Sequence, residues 1–101
     1  MGVPKKRDDV LATAIVAIER GKLRPTIHAL ERMKERRIIL SDVKEAIYNG
    51  RRDEVKDEFN KKTGQWKYAI QGLNDDRDKD IRLIISFNDP LAIIITVIDL
   101  N

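Results

Sequence analysis

The period of the hydrophobic positions changes once along the chain. Val10, Leu11, Ala14, Ile15 and Ile18 recur at helical spacing, with Asp8 and Asp9 at the start and Gly21 past the end, which predicts a helix over roughly 8–20. Pro25 biases Arg24 toward extended backbone, and Thr26 suits the N-cap of a second helix reaching about Arg37, with Ile27, Leu30 and Met33 turned inward. Ser41 offers a cap for a third helix, whose apolar stripe is Val43, Ala46 and Ile47 and whose stop is Gly50.

After Gly50 the pattern becomes β. Residues 52–59 read as a weak strand anchored by Val55 and Phe59, Lys62, Thr63 and Gly64 as a turn, and residues 65–73 as a second strand carrying Trp66, Tyr68 and Ile70. A charged connection over 74–80 leads to Ile81, Leu83, Ile85 and Phe87 in alternation, then to the turn Asn88, Asp89, Pro90 and a final strand at about 92–99. Helices first and hairpins afterwards predict an α+β fold, with N-terminal helices packed on one face of a roughly four-stranded antiparallel sheet. No internal repeat or low-complexity linker interrupts the pattern, so one domain over 1–101 is expected.

Alternation sorts the strand side chains between two faces. If Ile81, Leu83, Ile85 and Phe87 point to the helices, then Arg82, Ile84 and Ser86 point away. In the last strand Ile93, Ile95 and Val97 are expected in the core and Ile94, Thr96 and Ile98 on the other face. Thr96 is then a lone hydroxyl in an apolar strand, although a β-branched residue also fits a pleated surface with no further role. Trp66 and Tyr68 alternate as core aromatics do and as base-stacking platforms do, and Lys67 faces the opposite way.

Composition narrows the chemistry. The chain has 101 residues, 42% of them hydrophobic, enough for a single core. Having no cysteine excludes disulfides, thiolate zinc sites and cysteine nucleophiles, and one histidine would leave a transition-metal site to carboxylates almost alone, so no metal or cofactor is expected. The longest apolar stretch, residues 91–98, is far short of a membrane span, and the N-terminus lacks a signal-peptide apolar core. A cytoplasmic protein without membrane contact is therefore expected. Twenty basic and seventeen acidic residues leave a net charge of only +3, which permits RNA binding without requiring it.

The single histidine, His28, is followed by Arg32 and Arg36 in the run HALERMKER. On a helix each step of four rotates about 40° and climbs about 6 Å, so an imidazole and two guanidiniums form one stripe. A proton carrier beside two phosphate-binding cations is one reading. The charged face of a solvated helix is the other.

The segment HALERMKERRIILSDVKEAIYNG resembles the opening of the domain of unknown function 4258 family: a His-Ala pair, arginines four and eight residues after the histidine, Ser-Asp-Val, and an apolar helix ending in glycine. Trp66 to Ile70, Gly72, the apolar strand 81–87 and the closing Ile95-Thr96-Val97 resemble that family's hairpins. The similarity covers about 23–98; residues 23–99 then make a family-like core and 1–22 an extra N-terminal helix. That family is in turn similar in fold to the RelE, BrnT and MqsR ribonuclease toxins, metal-independent nucleases built as helices on an antiparallel sheet.

The resemblance implies a small endoribonuclease of toxin–antitoxin type, with RNA as substrate and an antitoxin protein as partner. His28, Arg32, Arg36 and Thr96 match the family's pattern residue for residue. It implies His28 as base or acid, Arg32 and Thr96 beside it in catalysis and Arg36 gripping phosphate; Arg82, from its place on the open face, is a further phosphate candidate, and Lys67 and Tyr68 are reserve candidates for substrate contact. Glu54, Asp57, Glu58 and the 74–80 stretch dilute positive charge and predict weak or partner-dependent RNA binding. The competing expectation is a non-catalytic RelE-like binding or regulatory module that holds a protein partner through the exposed sheet or its edge, with the arginines pairing Glu31 and Glu35.

Overall fold

Gly21 and Thr26 end one helix and begin the next, as their chemistry predicts, in the computed structural model, which describes residues 2–101. Helix α1 (Val10–Glu19) stops where Gly21 takes φ 67° and the Lys22 N–H donates to the Ala17 carbonyl at 2.7 Å. Helix α2 (Ile27–Glu35) begins with the Thr26 hydroxyl oxygen accepting the Ala29 N–H at 3.0 Å. Helix α3 (Leu40–Tyr48) begins before Ser41, because Asp42 accepts the Ile39 N–H at 3.1 Å and supplies the cap that the sequence assigns to Ser41.

Six strands follow or interleave: β1 (Leu23–Pro25), β2 (Arg51–Arg52), β3 (Glu58–Asn60), β4 (Gln65–Leu73), β5 (Asp80–Asn88) and β6 (Leu91–Asp99). Their order is β1-β6-β5-β4-β2, with β3 also pairing β4. The antiparallel meander β4-β5-β6 matches the expectation, and the α+β class holds. Two details differ from the four-strand expectation. The weak strand over 52–59 is divided into β2 and β3 by a 3-10 turn, Glu54–Lys56, and Val55 on that turn is 89% exposed rather than an anchor. Short β1 pairs parallel to β6, the one parallel edge among these pairings.

The parity of β6 changes partway along it. Ile85 stands opposite Ile94, but Ile84 stands opposite Thr96, so Ile95 is an extra residue, a β-bulge. Upstream of it Ala92 and Ile94 face the core; downstream Val97 does. Ile94 therefore belongs to the core and Ile93 and Ile95 do not, which reverses the assignment from strict alternation. Thr96 and Ile98 remain on the open face, as expected, because the bulge restores the parity there.

The core lies between the helices and one face of the sheet. Ile70, Ile81, Leu83, Ile85, Ile94 and Val97 pack against Val10, Ala14, Met33, Val43, Ala46 and Ile47. Helix α2 meets this core through Ala29 and Met33, while Ile27 is 76% and Leu30 49% exposed, so the inward stripe expected for Ile27 and Leu30 lies elsewhere. The cause is Thr26: its N–H donates to Ile94 O at 2.9 Å and its hydroxyl to Ile95 O at 3.1 Å. These bonds fix the start of α2 against the edge of β6 and so its rotation. Helix α3 rests directly on backbone. A Cβ on Gly72 would come within 2.0 Å of the Ala46 carbonyl oxygen, and one on Gly50 within 2.4 Å of the same atom.

The segment ahead of α1 is tied to the sheet. The Trp66 indole N–H donates to Pro4 O at 2.7 Å, the Arg7 N–H donates to the Tyr68 hydroxyl at 2.9 Å, and the Lys6 ammonium lies 4.8 Å from the Trp66 ring centre. Helix α1 itself contributes Val10, Ala14 and Ala17 to the shared core. No helix among the described residues is long and apolar enough to cross a membrane.

Candidate functional site

His28 occupies the second position of α2, one residue past Ile27, where the Thr26 bonds hold the helix against β6. Its Nε2 lies 3.3 Å from Thr96 Oγ1. Two features separated by 68 residues are thus brought together: a helix start pinned at the sheet edge, and a bulge that presents Thr96 on the open face. The pair is a tautomer-dependent hydrogen bond. A neutral Nε2 accepts from the hydroxyl, and a protonated one donates to it. The imidazole is exposed and open to an incoming ligand.

The arginines take different places. Arg32, one turn along α2, donates to Glu35 at 2.7 Å in an exposed pair; such pairs contribute a few tenths of a kcal/mol and exchange readily for a stronger anion. Arg36 is the exposed C-cap residue of the same helix, at the far end of the stripe. Arg82 lies on the open face, opposite Ile98 and diagonal to Thr96, but its Nε donates to Asp53 at 3.2 Å. Because Asp53 follows β2 on the far side of β4, this bridge crosses β4 over Ala69, which is 0% exposed. Only a small side chain fits beneath it.

Lys67 is on the open face and lies 3.9 Å from Glu58 across the β3–β4 pair. Tyr68 is not brought to the site. It is buried on the helix face, 5.9 Å from the Phe87 ring, with its hydroxyl accepting from Arg7. The structure therefore gathers His28 and Thr96, places Arg32 beside them on α2, holds Arg82 and Lys67 on the same sheet face in ion pairs, and sends Tyr68 to the core.

Of the acidic residues expected to repel RNA, Asp57 and Glu58 are in ion pairs, while Glu54 and the four aspartates of the 74–80 stretch are in none among the described residues. The Asp57 side chain is 0% exposed and accepts from Arg52 Nη2 at 2.6 Å, Lys6 Nζ at 3.0 Å and the Ala69 N–H at 2.9 Å. Burial pushes its carboxyl up, yet the hydrogen bonds from Arg52, Ala69 and Lys6 and the Arg52 charge outweigh burial and hold it below the usual carboxylate value. Asn74, also buried, accepts the N–H groups of Asp78 and Lys79 and donates to Asp42 and Asp78, which fixes the 74–79 loop. No local pattern marks these residues, since Asp57 and its partners Lys6 and Ala69 are far apart along the chain.

A concavity of about 540 Å³ opens at the β2 side of the open face, lined in part by Asn49, Arg51, Gln71, Asp75, Arg77 and Asp80. A smaller one of about 180 Å³ lies by Arg7, Trp66 and Phe87. Neither includes His28 or Thr96. Sequence reasoning misses the larger one, which the pairing of Arg51 with Gln71 assembles from two distant segments.

Residues 26–99 match the family model described as Domain of unknown function (DUF4258), a span that holds His28, Arg32, Arg36 and Thr96 and begins at the Thr26 anchor. No curated protein and no solved structure gives a match.

Proposed function

The chain belongs to the DUF4258 family, and we propose that it is a metal-independent endoribonuclease-like protein, of the kind that serves as the toxin in a toxin–antitoxin pair. The observation that carries this reading is the 3.3 Å approach of His28 Nε2 to Thr96 Oγ1 at an exposed site with Arg32 one helical turn away. An RNA strand laid there puts a ribose 2′-hydroxyl against Nε2. His28 takes the hydroxyl proton, the 2′-oxygen attacks the adjacent phosphorus, and the bond to the 5′-oxygen breaks, with water protonating the leaving group. A 2′,3′-cyclic phosphate and a 5′-hydroxyl result. Arg32, released from Glu35, and the Thr96 hydroxyl, released from Nε2, stabilise the charge that builds on the phosphate oxygens. Arg36 extends the cationic stripe, and Arg82 and Lys67 offer further phosphate contacts on the open face.

A second reading has its own support. Neither concavity contains His28, and Arg32, Arg82 and Lys67 already have carboxylate partners. Those features suit a non-catalytic module that recognises a protein partner. One experiment separates the two: purified wild-type protein and His28→Ala are incubated with mixed RNA in chelator and the products are analysed for 2′,3′-cyclic phosphate. The ribonuclease reading expects such ends from the wild type and a loss of about a hundredfold or more in the variant. Equal cleavage by both proteins, or none by either, overturns it.

A further inference from the structure

We propose that the concavity beside β2 binds one nucleotide of the single-stranded RNA whose reacting phosphate lies at His28, so that it acts as a substrate subsite away from the chemistry. This rests on the ribonuclease reading above. At about 540 Å³ the concavity is large enough for a nucleotide. Its lining separates by chemistry: Arg51 and Arg77 supply cations, Asp75 and Asp80 supply acceptors, and the amides of Asn49 and Gln71 supply carbonyl oxygens that accept and, from Gln71, an N–H that donates. A phosphate needs the first set. A base edge or ribose, with N–H and O–H donors beside carbonyl and ring-nitrogen acceptors, needs the other two. A base edge or ribose carries N–H and O–H donors for Asp75 and Asp80 that an acidic side chain lacks, which argues for a nucleotide over an acidic peptide.

The lining is preorganised. Asn49 Nδ2 donates to Leu73 O and to Asp75 Oδ1, each at 3.0 Å, and Gln71 Nε2 donates to both oxygens of Asp80 at 3.3 Å. Among the described residues the arginines in ion pairs are Arg7, Arg32, Arg52 and Arg82, so Arg51 and Arg77, both exposed, keep their guanidiniums for a ligand. Strand register links the concavity to the histidine. Arg51, Gln71, Arg82 and Ile98 stand opposite one another across β2, β4, β5 and β6, one row from Ile84 and Thr96. With strands about 4.8 Å apart and about 3.3 Å per residue, Gln71 is roughly 12 Å from Thr96. Arg82 stands between them, and an extended strand of a few nucleotides covers that distance.

The test uses a fluorescein-labelled, fully 2′-O-methylated RNA oligonucleotide, which has no 2′-hydroxyl to react. Its anisotropy is titrated with wild-type protein, His28→Ala and the double variant Arg51→Ala with Arg77→Asn; asparagine is chosen because Arg77 sits at φ 61°. The double variant is expected to bind at least tenfold more weakly, with the slope of log affinity against log salt reduced by about 0.7 for each phosphate that is no longer neutralised. His28→Ala removes a side chain from the reacting end of the same strand, and its binding is expected to fall less than that of the double variant. In a second arm, adenosine monophosphate added to isotope-labelled wild-type protein is expected to shift the NMR signals of the Asn49 and Gln71 side-chain amides. No binding by the wild type, an unchanged affinity and slope in the double variant, or shifts confined to residues outside the concavity overturns the proposal. Failure to find histidine-dependent cyclic phosphate ends the ribonuclease reading alone, because the methylated strand reports on the concavity without cleavage.

Discussion

The Thr96 hydroxyl meets His28 Nε2 across 3.3 Å because a single extra residue, Ile95, separates the two halves of β6. The same bulge lends its carbonyl to Thr26, the residue that starts the helix carrying His28. One irregularity thus positions both partners, the hydroxyl through strand parity and the imidazole through the helix start.

Replacing Thr26 tests that shared origin. Thr26→Ala loses the cap bond to Ala29 and the bond to Ile95 O together, and is expected to cost about 1–2 kcal/mol in urea unfolding. Thr26→Ser keeps the hydroxyl that makes both bonds and should recover most of that loss. In the alanine variant the His28 imidazole NMR signals should also move toward those of an unconstrained histidine. Alanine and serine variants of equal stability would show that Thr26 does not anchor the helix.

Thr96→Val keeps the β-branched shape and deletes the hydroxyl. Stability is expected to change by less than about 1 kcal/mol, since the bond is exposed. RNA cleavage is expected to fall by about tenfold or more while the fold is retained by circular dichroism. Undiminished cleavage would show that the hydroxyl has no part in the chemistry.

Asp57 makes a stability prediction with a definite pH sign. Asp57→Ala leaves Arg52 and Lys6 facing an empty site and deprives the Ala69 N–H of its acceptor, at an expected cost of about 3 kcal/mol in chemical denaturation. Because the folded carboxyl titrates below its ordinary value of 3.8, its contribution is complete above that pH and disappears as pH falls through the lower folded value. Wild-type protein should therefore lose stability in strong acid more steeply than Asp57→Asn does, as read by urea midpoints on either side of that range. Parallel acid profiles would contradict this role for Asp57.

Gly72→Ala forces a methyl to within 2.0 Å of the Ala46 carbonyl oxygen. Neither partner is a flexible side chain, so α3 must move off β4, at an expected cost of about 3 kcal/mol. A thermal melt within a degree or two of the wild type would show that this packing yields more easily than rigid backbone should.

How much of the fold and site is legible in the sequence depends on the distance over which each signal acts. Local signals serve well: Gly21 ends α1, Thr26 caps α2, and alternation places Arg82, Ile84 and Ser86 on the open face. Signals that depend on partners far along the chain do not. Strict alternation puts Ile95 in the core and Ile94 outside it, because nothing near Ile95 announces a bulge whose carbonyl is taken up by Thr26. The rotation of α2 follows from that same bond, which is why Leu30 and Ile27 turn to solvent against their helical period. Asp57 reads as a solvated carboxylate because its neutralising partners lie at Lys6, Arg52 and Ala69, on three different segments. His28 with its arginines and Thr96 are each visible as candidates; their proximity is a matter of tertiary docking.

Trp66 is the only tryptophan in the chain, and its indole N–H holds the carbonyl of Pro4. Its fluorescence is consequently a built-in gauge of whether the leading residues are seated. A fusion partner or a truncation that unseats Pro4 and Lys6 would dim or shift that emission, and would strip Asp57 of one of its cations at the same stroke.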